Sequence, residues 1–194
     1  RTTIVRRGNG STCICGSNTS RQCDVPPLAP GLSYLAFAGG LAHTLGLASD
    51  GWIIAWGDNT QYQCDVPLLP PGLTYVEVAA NEVHSVARLS DGAVVCWGAI
   101  SPAVPALPVG MSYVQIAAGL RHLVALRSDG MIVAWGENGS GQCNVPVLPA
   151  GLSYVEIAAG ENHTLARRTF GSVVAWGDNS LGQCTVPVQA QGAG

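Results

Sequence analysis

The four histidines of the chain recur at nearly constant intervals, which makes them the first candidates for metal chemistry. His43, His84, His122 and His163 are separated by 41, 38 and 41 residues. A zinc site needs about four ligands around one ion, but equivalent positions in neighbouring copies of a repeat lie too far apart to share one. No carboxylate or second histidine recurs beside them at ligand spacing. We therefore predict structural histidines that hydrogen-bond a neighbouring turn, with no metal site and no cofactor.

The odd count of seven cysteines argues against a full disulfide framework. Four of them occupy one position in different repeats, too far apart for the Cα separation of ~7 Å that a bridge allows: Cys23, Cys64, Cys143 and Cys184. Cys15 replaces a tryptophan near Cys23, so a bridge to Cys23 from Cys15, or from Cys13, is a candidate. The Cys13-x-Cys15 pair lacks two further ligands for a metal.

Serine, aspartate and histidine are present, but each recurs as a part of a repeat. Ser-Asp-Gly is turn chemistry, and no glycine-rich phosphate loop or zinc motif appears. A catalytic group is normally singular, whereas these are multiplied. We therefore assign no catalytic residue and predict that the protein is not an enzyme.

A repeat of about 40 residues positions these side chains. Its copies are clearest in WGDNTQYQCDVP (56–67), WGENGSGQCNVP (135–146) and WGDNSLGQCTVP (176–187). Self-similarity at this period outranks any single motif. The predicted single domain, 1–194, divides into a partial repeat (1–26), repeat 1 (27–67), repeat 2 (68–105), repeat 3 (106–146), repeat 4 (147–187) and a tail (188–194).

Repeat 4 illustrates the predicted elements, and no part of it has a helical period. Its short apolar runs predict strands at 154–159, 164–168, 173–176 and 183–186. Asp-Gly between apolar runs, as in Ser49-Asp50-Gly51, predicts a hairpin. Four-stranded antiparallel units repeated in this way are typical of β-propeller blades. We expect the recurring tryptophans to pack between blades: Trp56, Trp97, Trp135 and Trp176.

The repeated pattern AAGxxHTLAL, SDG, xVVAWG and xNxxGQ resembles the RCC1-like repeat family over nearly all 194 residues. The resemblance implies a β-propeller, and typical members have seven blades. The short period and the Val-Pro join are most similar to the bacterial branch, which includes secreted proteins of the β-lactamase inhibitor protein II type. That similarity favours a secreted or cell-surface location, which the sequence itself leaves open.

The chain departs from this family in the number of repeats. It has four complete repeats and a partial one that matches only the second and third strands, whereas seven blades need roughly 280 residues. Three interpretations stay open: a fragment of a longer propeller, a five-bladed ring, or a chain whose open edges pair with other copies. Exposed strand edges and apolar blade faces favour association.

Composition limits the partners. The chain is 47% hydrophobic and 11% charged, has a net charge of −3 and contains no lysine. This balance argues against nucleic-acid binding through a basic surface. No apolar run approaches the ~20 residues of a membrane span. We expect the partners to be other proteins, among them copies of the chain itself.

The positions at which the repeats differ predict the interaction site. The turn before each histidine and the turn after each Trp-Gly vary, and both should open on one face of a blade. Constant positions hold a scaffold, whereas variable loops are free to specify a partner; neutral drift of exposed residues is the alternative. The predicted partner-binding residues are Leu41, Tyr62, Glu82, Val83, Ile100, Leu120, Arg121, Glu161, Asn162 and Leu181.

These observations support three functional hypotheses. The first is a non-catalytic module for protein interaction or self-assembly. The resemblance adds an inhibitor of a secreted enzyme and a guanine nucleotide exchange-type regulator. A fold shared by such different proteins does not select among them.

Overall fold

In the computed structural model of the chain, residues 2–6, 12–99 and 103–187 are described, and their regular structure is almost entirely β. The partial repeat contributes β1 (Thr2–Arg6) and β2 (Thr12–Gly16). The complete repeats contribute three strands each: β3 (Tyr34–Gly39), β4 (His43–Ala48) and β5 (Ile53–Gly57); β6 (Tyr75–Ala80), β7 (His84–Leu89) and β8 (Val94–Gly98); β9 (Tyr113–Ala118), β10 (His122–Arg127) and β11 (Ile132–Gly136); β12 (Tyr154–Ala159), β13 (His163–Arg168) and β14 (Val173–Gly177). Repeat 4 also has a 3₁₀ turn, Thr169–Gly171.

Each complete repeat folds into one three-stranded antiparallel sheet. The central strand of each sheet is the second strand of its repeat in chain order. The partial repeat forms a two-stranded sheet in which Thr2 pairs with Gly16, the register in which His43 pairs with Gly57 in repeat 1. The predictions of an all-β chain, of propeller-type blades and of a partial first repeat are confirmed. No helix among the described residues is long and apolar enough to cross a membrane.

The prediction of a fourth strand in each blade is wrong, because the described sheets have three strands or two. In repeat 4 the predicted strand, residues 183–186, forms a turn followed by irregular chain. The Cys184 amide donates to Asn179 Oδ1 at 2.8 Å, and the Thr185 amide donates to the Gly182 carbonyl at 3.0 Å. These local bonds use the amide groups that a strand would give to a neighbouring strand.

The Ser-Asp-Gly turns form the predicted hairpins. In repeat 1, Gly51 has a φ of 83° and donates to the Ala48 carbonyl at 3.0 Å. A three-residue loop that ends in a left-handed glycine is a common hairpin form. Repeat 4 differs, since Phe170 replaces the aspartate and itself has a φ of 66°.

Contacts within the chain divide it into two compact units, Arg1–Ala106 and Leu107–Gly194. The division falls one residue from the predicted boundary between repeats 2 and 3, and the single domain stays a prediction. In unit 1 the core lies between repeats 1 and 2, and in unit 2 between repeats 3 and 4. The buried core residues are Leu45, Leu47, Ile53, Tyr75, Ala87, Leu89 and Trp97 in unit 1, and Val124, Leu126, Ile132, Tyr154, Ile157, Ala166 and Trp176 in unit 2.

Each core joins two different sheet faces. Repeat 1 contributes Leu45 and Leu47 from the face that meets the following repeat, which we call the trailing face. Repeat 2 contributes Tyr75 and Trp97 from the face that meets the preceding repeat, which we call the leading face. Burying side chains of this size stabilises the contact by roughly 1.5–3 kcal/mol each.

Candidate protein-interaction site

The histidine of repeat 1 takes part in hydrogen bonds between repeats rather than in a metal site. His43 is fully buried, and its Nε2 lies 3.0 Å from the Ser85 hydroxyl of repeat 2. Ser85 donates its only proton to the Gln63 carbonyl of repeat 1 at 2.7 Å, so His43 Nε2 must be the donor to Ser85. Trp97 of repeat 2 donates its indole N–H to the same carbonyl at 3.0 Å. We call this set of bonds the inter-repeat relay.

The same relay recurs in unit 2. His122 Nε2 lies 3.0 Å from the Thr164 hydroxyl, which donates to the Gln142 carbonyl at 2.9 Å. The Trp176 indole donates to that carbonyl at 2.9 Å. The relay joins the turn after Trp-Gly in one repeat to the second and third strands of the next.

The relay histidines are neutral. Burial lowers the pKa of His43 to about 4 and that of His122 to about 4. Their Nδ1 atoms are buried with no hydrogen-bond partner among the described residues. Both observations agree with a ring that carries its one proton on Nε2.

The other two histidines differ. His84 is half-buried, and its Nδ1 lies 3.2 Å from Oδ1 of Asn81, which occupies the position of a glycine in the other repeats. His163 is half-buried beside Gly160, and its ring makes no hydrogen bond within the described residues. Those residues contain no group of three or more histidine, cysteine, aspartate or glutamate side chains placed to hold a metal ion.

All seven cysteines are free thiols in this structure. The Cys15–Cys23 bridge stays a prediction. The Cys23 thiol donates to the Ser17 carbonyl at 3.3 Å. Burial, with help from nearby carboxylates, raises the pKa of Cys64 to about 11, and burial raises that of Cys96 to about 12. Thiols with pKa values this high are poor nucleophiles near neutral pH.

The two variable loops of each repeat lie side by side. The Asp58 amide donates to the Ala42 carbonyl at 2.8 Å, and the Asp178 amide donates to the Asn162 carbonyl at 2.8 Å. Because the first and third strands of a sheet run in the same direction, both loops leave the same end of the blade. We call this end, with the turn before the histidine and the turn after Trp-Gly, the loop end.

Backbone bonds also connect the loop ends of adjacent repeats. In unit 1 the Leu41 amide donates to the Asn81 carbonyl at 3.3 Å. In unit 2 the Leu120 amide donates to the Glu161 carbonyl at 2.9 Å. Each unit therefore presents a loop end that continues from one repeat to the next.

Constant side chains fix the shape of the loop after Trp-Gly. Asn59 accepts from the Cys64 amide at 2.8 Å, while Gln63 accepts from the Gln61 amide and donates to Asp58, at 2.8 and 2.9 Å. In repeat 4, hydrogen bonds from Ser180 lower the pKa of Asp178. The variable side chains are therefore carried on a loop that its own side chains hold in place.

The predicted partner-binding residues differ in exposure. Tyr62 is 69% exposed, Leu181 91% and Leu41 45%. Arg121 and Glu161 are exposed, and the half-buried members are Glu82, Val83, Leu120 and Asn162. Ile100 lies outside the described residues.

The sequence prediction missed Arg21, which occupies the position of Tyr62 in the partial repeat. Both residues have a φ of 61°, whereas the equivalent Gly141 and Gly182 have φ values of 78° and 79°. Left-handed backbone costs a non-glycine residue roughly 1–2 kcal/mol. Aligning Arg21-Gln-Cys with Gly141-Gln-Cys would have revealed this position.

The comparisons with known proteins agree with this architecture. The model of the regulator of chromosome condensation (RCC1) repeat matches residues 113–142 and 154–183. Repeats 3 and 4 thus match the RCC1 repeat, and the chain has no significant match among curated protein sequences. The narrower resemblance to the bacterial β-lactamase inhibitor branch stays a prediction.

Several solved structures share the fold. Prp20p from Saccharomyces cerevisiae, studied for its binding to Gsp1p and histones, is 27% identical with a TM-score of 0.68, over 80% of this chain and 47% of that one. The CRINKLY WD40 ectodomain of the Arabidopsis thaliana receptor kinase ACR4 is 24% identical with a TM-score of 0.69, and the match covers 90% of this chain and 64% of that one. Human WBSCR16 is 19% identical with a TM-score of 0.72, and the match covers 86% of this chain and 56% of that one. The chain thus spans about half the length of Prp20p.

Proposed function

We propose that the chain is a non-catalytic protein-interaction module whose loop end docks a partner protein. Tyr62 is the observation that carries this proposal. The residue is 69% exposed, and its backbone has a φ of 61° where two other repeats have glycine. Strained backbone persists where the surrounding structure or a function requires it, and it is common at functional sites.

The surroundings of Tyr62 support a docking role. Leu41 is 45% exposed on the neighbouring turn, and Arg21 presents a cation at the equivalent position of the partial repeat. Tyrosine and arginine are enriched among residues that dominate binding energy. A loop already fixed by Asn59 and Gln63 loses little conformational freedom on binding, which favours affinity.

Site-specific crosslinking tests the proposal. A photoreactive amino acid replaces Tyr62 in one variant and Trp52 in a matched one, in extracts of the source cells. Trp52 is an exposed aromatic on the Ser-Asp-Gly hairpin, at the other end of β4 and β5. We expect a captured protein at position 62 and none at position 52.

Affinity measurements with the purified partner then decide the question. Tyr62→Gly should raise Kd about 30-fold, because truncating a dominant residue costs about 2 kcal/mol. The same variant should fold at least as stably as the parent, since glycine accepts the left-handed backbone. Trp52→Ala should leave Kd unchanged. Equal Kd values for Tyr62→Gly and the parent would contradict the proposal.

A second candidate is regulation of the exchange-factor type, and the match to Prp20p favours it. Binding of purified Gsp1p to the chain, followed by calorimetry, tests this candidate. We expect saturable binding that Tyr62→Gly weakens. No binding at concentrations well above micromolar would exclude the candidate and leave the docking proposal to the crosslinking result.

A further inference from the structure

Repeat 4 exposes a face that equivalent repeats bury. Leu165 on its trailing face is half-buried, whereas the equivalent Leu45 and Val124 are fully buried under the repeats that follow them. Val173 is also half-buried, while the equivalent Ile53 is only 7% exposed. The trailing face of repeat 4 therefore lacks the cover that repeats 1 and 3 have.

This face also holds an unused half of the inter-repeat relay. His163 occupies the position from which His43 and His122 donate to a hydroxyl of the next repeat. The ring of His163 has no hydrogen bond among the described residues, and the Gln183 carbonyl occupies the position of the relay acceptor. A shallow depression of about 180 Å³ lies on the face, and its lining includes Leu165 and Val173.

The sheet of the partial repeat exposes the opposite kind of face. Ile14 is buried toward repeat 1, while Thr3, Val5, Cys13 and Cys15 are exposed on the other side. Repeat alignment places these four residues on a leading face, the kind that receives a preceding repeat. Thr3 is equivalent to Thr164, which accepts from a relay histidine.

We propose that the trailing face of repeat 4 in one copy of the chain docks on the leading face of the partial repeat in a second copy. Leu165 and Val173 then cover Val5, and His163 Nε2 donates to the Thr3 hydroxyl as His122 does to Thr164. Such an interface uses two different surfaces, so each dimer keeps one free face of each kind. Head-to-tail contacts of this type continue into rings or filaments.

Charge agrees with a contact between two such copies. The exposed rim of the trailing face carries Glu156 and Arg167, which pair with each other at 2.8 Å. Because this pair is internally neutralised, the rim does not repel an approaching copy. Repeat 2 carries the equivalent pair, Glu77 and Arg88, on its own trailing face, again at 2.8 Å.

The test uses the full chain in reducing buffer, so that Cys13 and Cys15 cannot form disulfides between copies. Sedimentation velocity should show concentration-dependent species larger than a dimer. Leu165→Glu removes the apolar trailing face and Val5→Glu the leading face, so each variant alone should be monomeric. Ala158→Arg repeats the trailing-face test at an exposed residue, which tolerates substitution. Circular dichroism confirms that each variant is folded.

Mixing the two glutamate variants gives the decisive result. Each retains the face that the other has lost, so an equimolar mixture should form a heterodimer and nothing larger. Phe170→Asp, which restores the Ser-Asp-Gly type of turn outside the face, should assemble like the parent. Tyr62→Gly should also assemble normally, which separates this proposal from the loop-end function. A monomeric parent at every concentration, or a mixture that stays monomeric, would overturn the proposal.

Discussion

At the scale of single residues, the relay explains why polar groups can be buried between blades. His43 Nε2 donates to the Ser85 hydroxyl, and both Ser85 and the Trp97 indole donate to the Gln63 carbonyl, which only accepts. Buried polar groups without partners cost about 1–3 kcal/mol each. The relay therefore sets the alignment of adjacent repeats as well as stabilising them.

Two tryptophans of unit 2 test the relay directly. Trp176 and Trp135 are both 8% exposed, but Trp176 donates to Gln142 whereas the Trp135 indole nitrogen has no partner among the described residues. We expect Trp176→Phe to lower the free energy of unfolding by about 1 kcal/mol more than Trp135→Phe. Urea denaturation measures both. A larger loss for Trp135→Phe would contradict the role of the relay.

Because the relay histidines are buried, we expect the free energy of unfolding to fall as the solution is acidified. Burial lowers the pKa of His43 and His122 to about 4, against ~6.5 in the unfolded chain. Between these pH values the unfolded chain binds more protons than the folded chain, so the free energy of unfolding rises with pH. The contribution of these histidines to stability is lost as the pH falls toward 4. Each histidine contributes up to ~1.4 kcal/mol per pH unit.

Urea denaturation between about pH 7 and pH 5 measures this dependence, above the range in which ordinary carboxylates titrate. The double variant His43→Gln, His122→Gln keeps a donor at each position but cannot titrate. Its slope against pH should be shallower than that of the parent. Identical slopes would show that these rings do not control acid stability.

At this scale the sequence could predict positions but not partners. The spacing of the four histidines indicates one shared position, and sequence reasoning expected a neighbouring turn as partner. The partner is instead a hydroxyl on the second strand of the next repeat, Ser85 or Thr164. That pairing depends on how two sheets align face to face, which spacing along one chain does not specify.

At the scale of strands and turns, small residues allow the relay histidines to lie against the preceding turn. A Cβ on Gly119 would overlap the Cε1 atom of His122 and would lie 2.6 Å from the Gly160 carbonyl oxygen. The three atoms nearest to a Cβ on Gly160 would all belong to the ring of His163. The two positions are equivalent in sequence but differ in how freely the neighbouring ring can move.

This difference predicts unequal effects of one substitution. Gly119→Ala should lower the free energy of unfolding by about 1–3 kcal/mol, because His122 is buried and bound to Thr164. Gly160→Ala should cost less, since His163 is half-buried and can turn away. Thermal and urea unfolding of the two variants provide the comparison. Equal losses would imply that His163 is held as firmly as His122.

The elements also show where sequence patterns mislead. Hydrophobic alternation and Asp-Gly turns correctly predicted three strands in each complete repeat. The segment Gln-Cys-x-Val-Pro shares that alternation. However, the side chain of the asparagine before it, Asn179 in repeat 4, accepts a hydrogen bond from the Cys184 amide and holds the chain in a turn. A local side-chain bond thus prevents the fourth strand that the pattern alone suggested.

At the scale of the whole chain, the boundary between the two compact units lies where residues of the relay are missing from the sequence. Repeat 2 is three residues shorter than its neighbours after Trp97 and has no glutamine there, while repeat 3 has Leu123 where a hydroxyl recurs. The unit boundary, between Ala106 and Leu107, falls between these two departures. The sequence showed both departures, but their meaning required knowledge of the relay.

We propose that the loop end binds a partner through the positions at which the repeats differ, and a titration of the isotope-labelled chain tests this proposal most directly. Amide chemical shifts are followed by NMR as the crosslinked partner, once purified, is added. We predict that the largest changes fall on residues 41–42, 60–62 and 82–83, with residues 49–52 of the opposite hairpin unchanged. Changes concentrated on residues 49–52 instead would contradict the account.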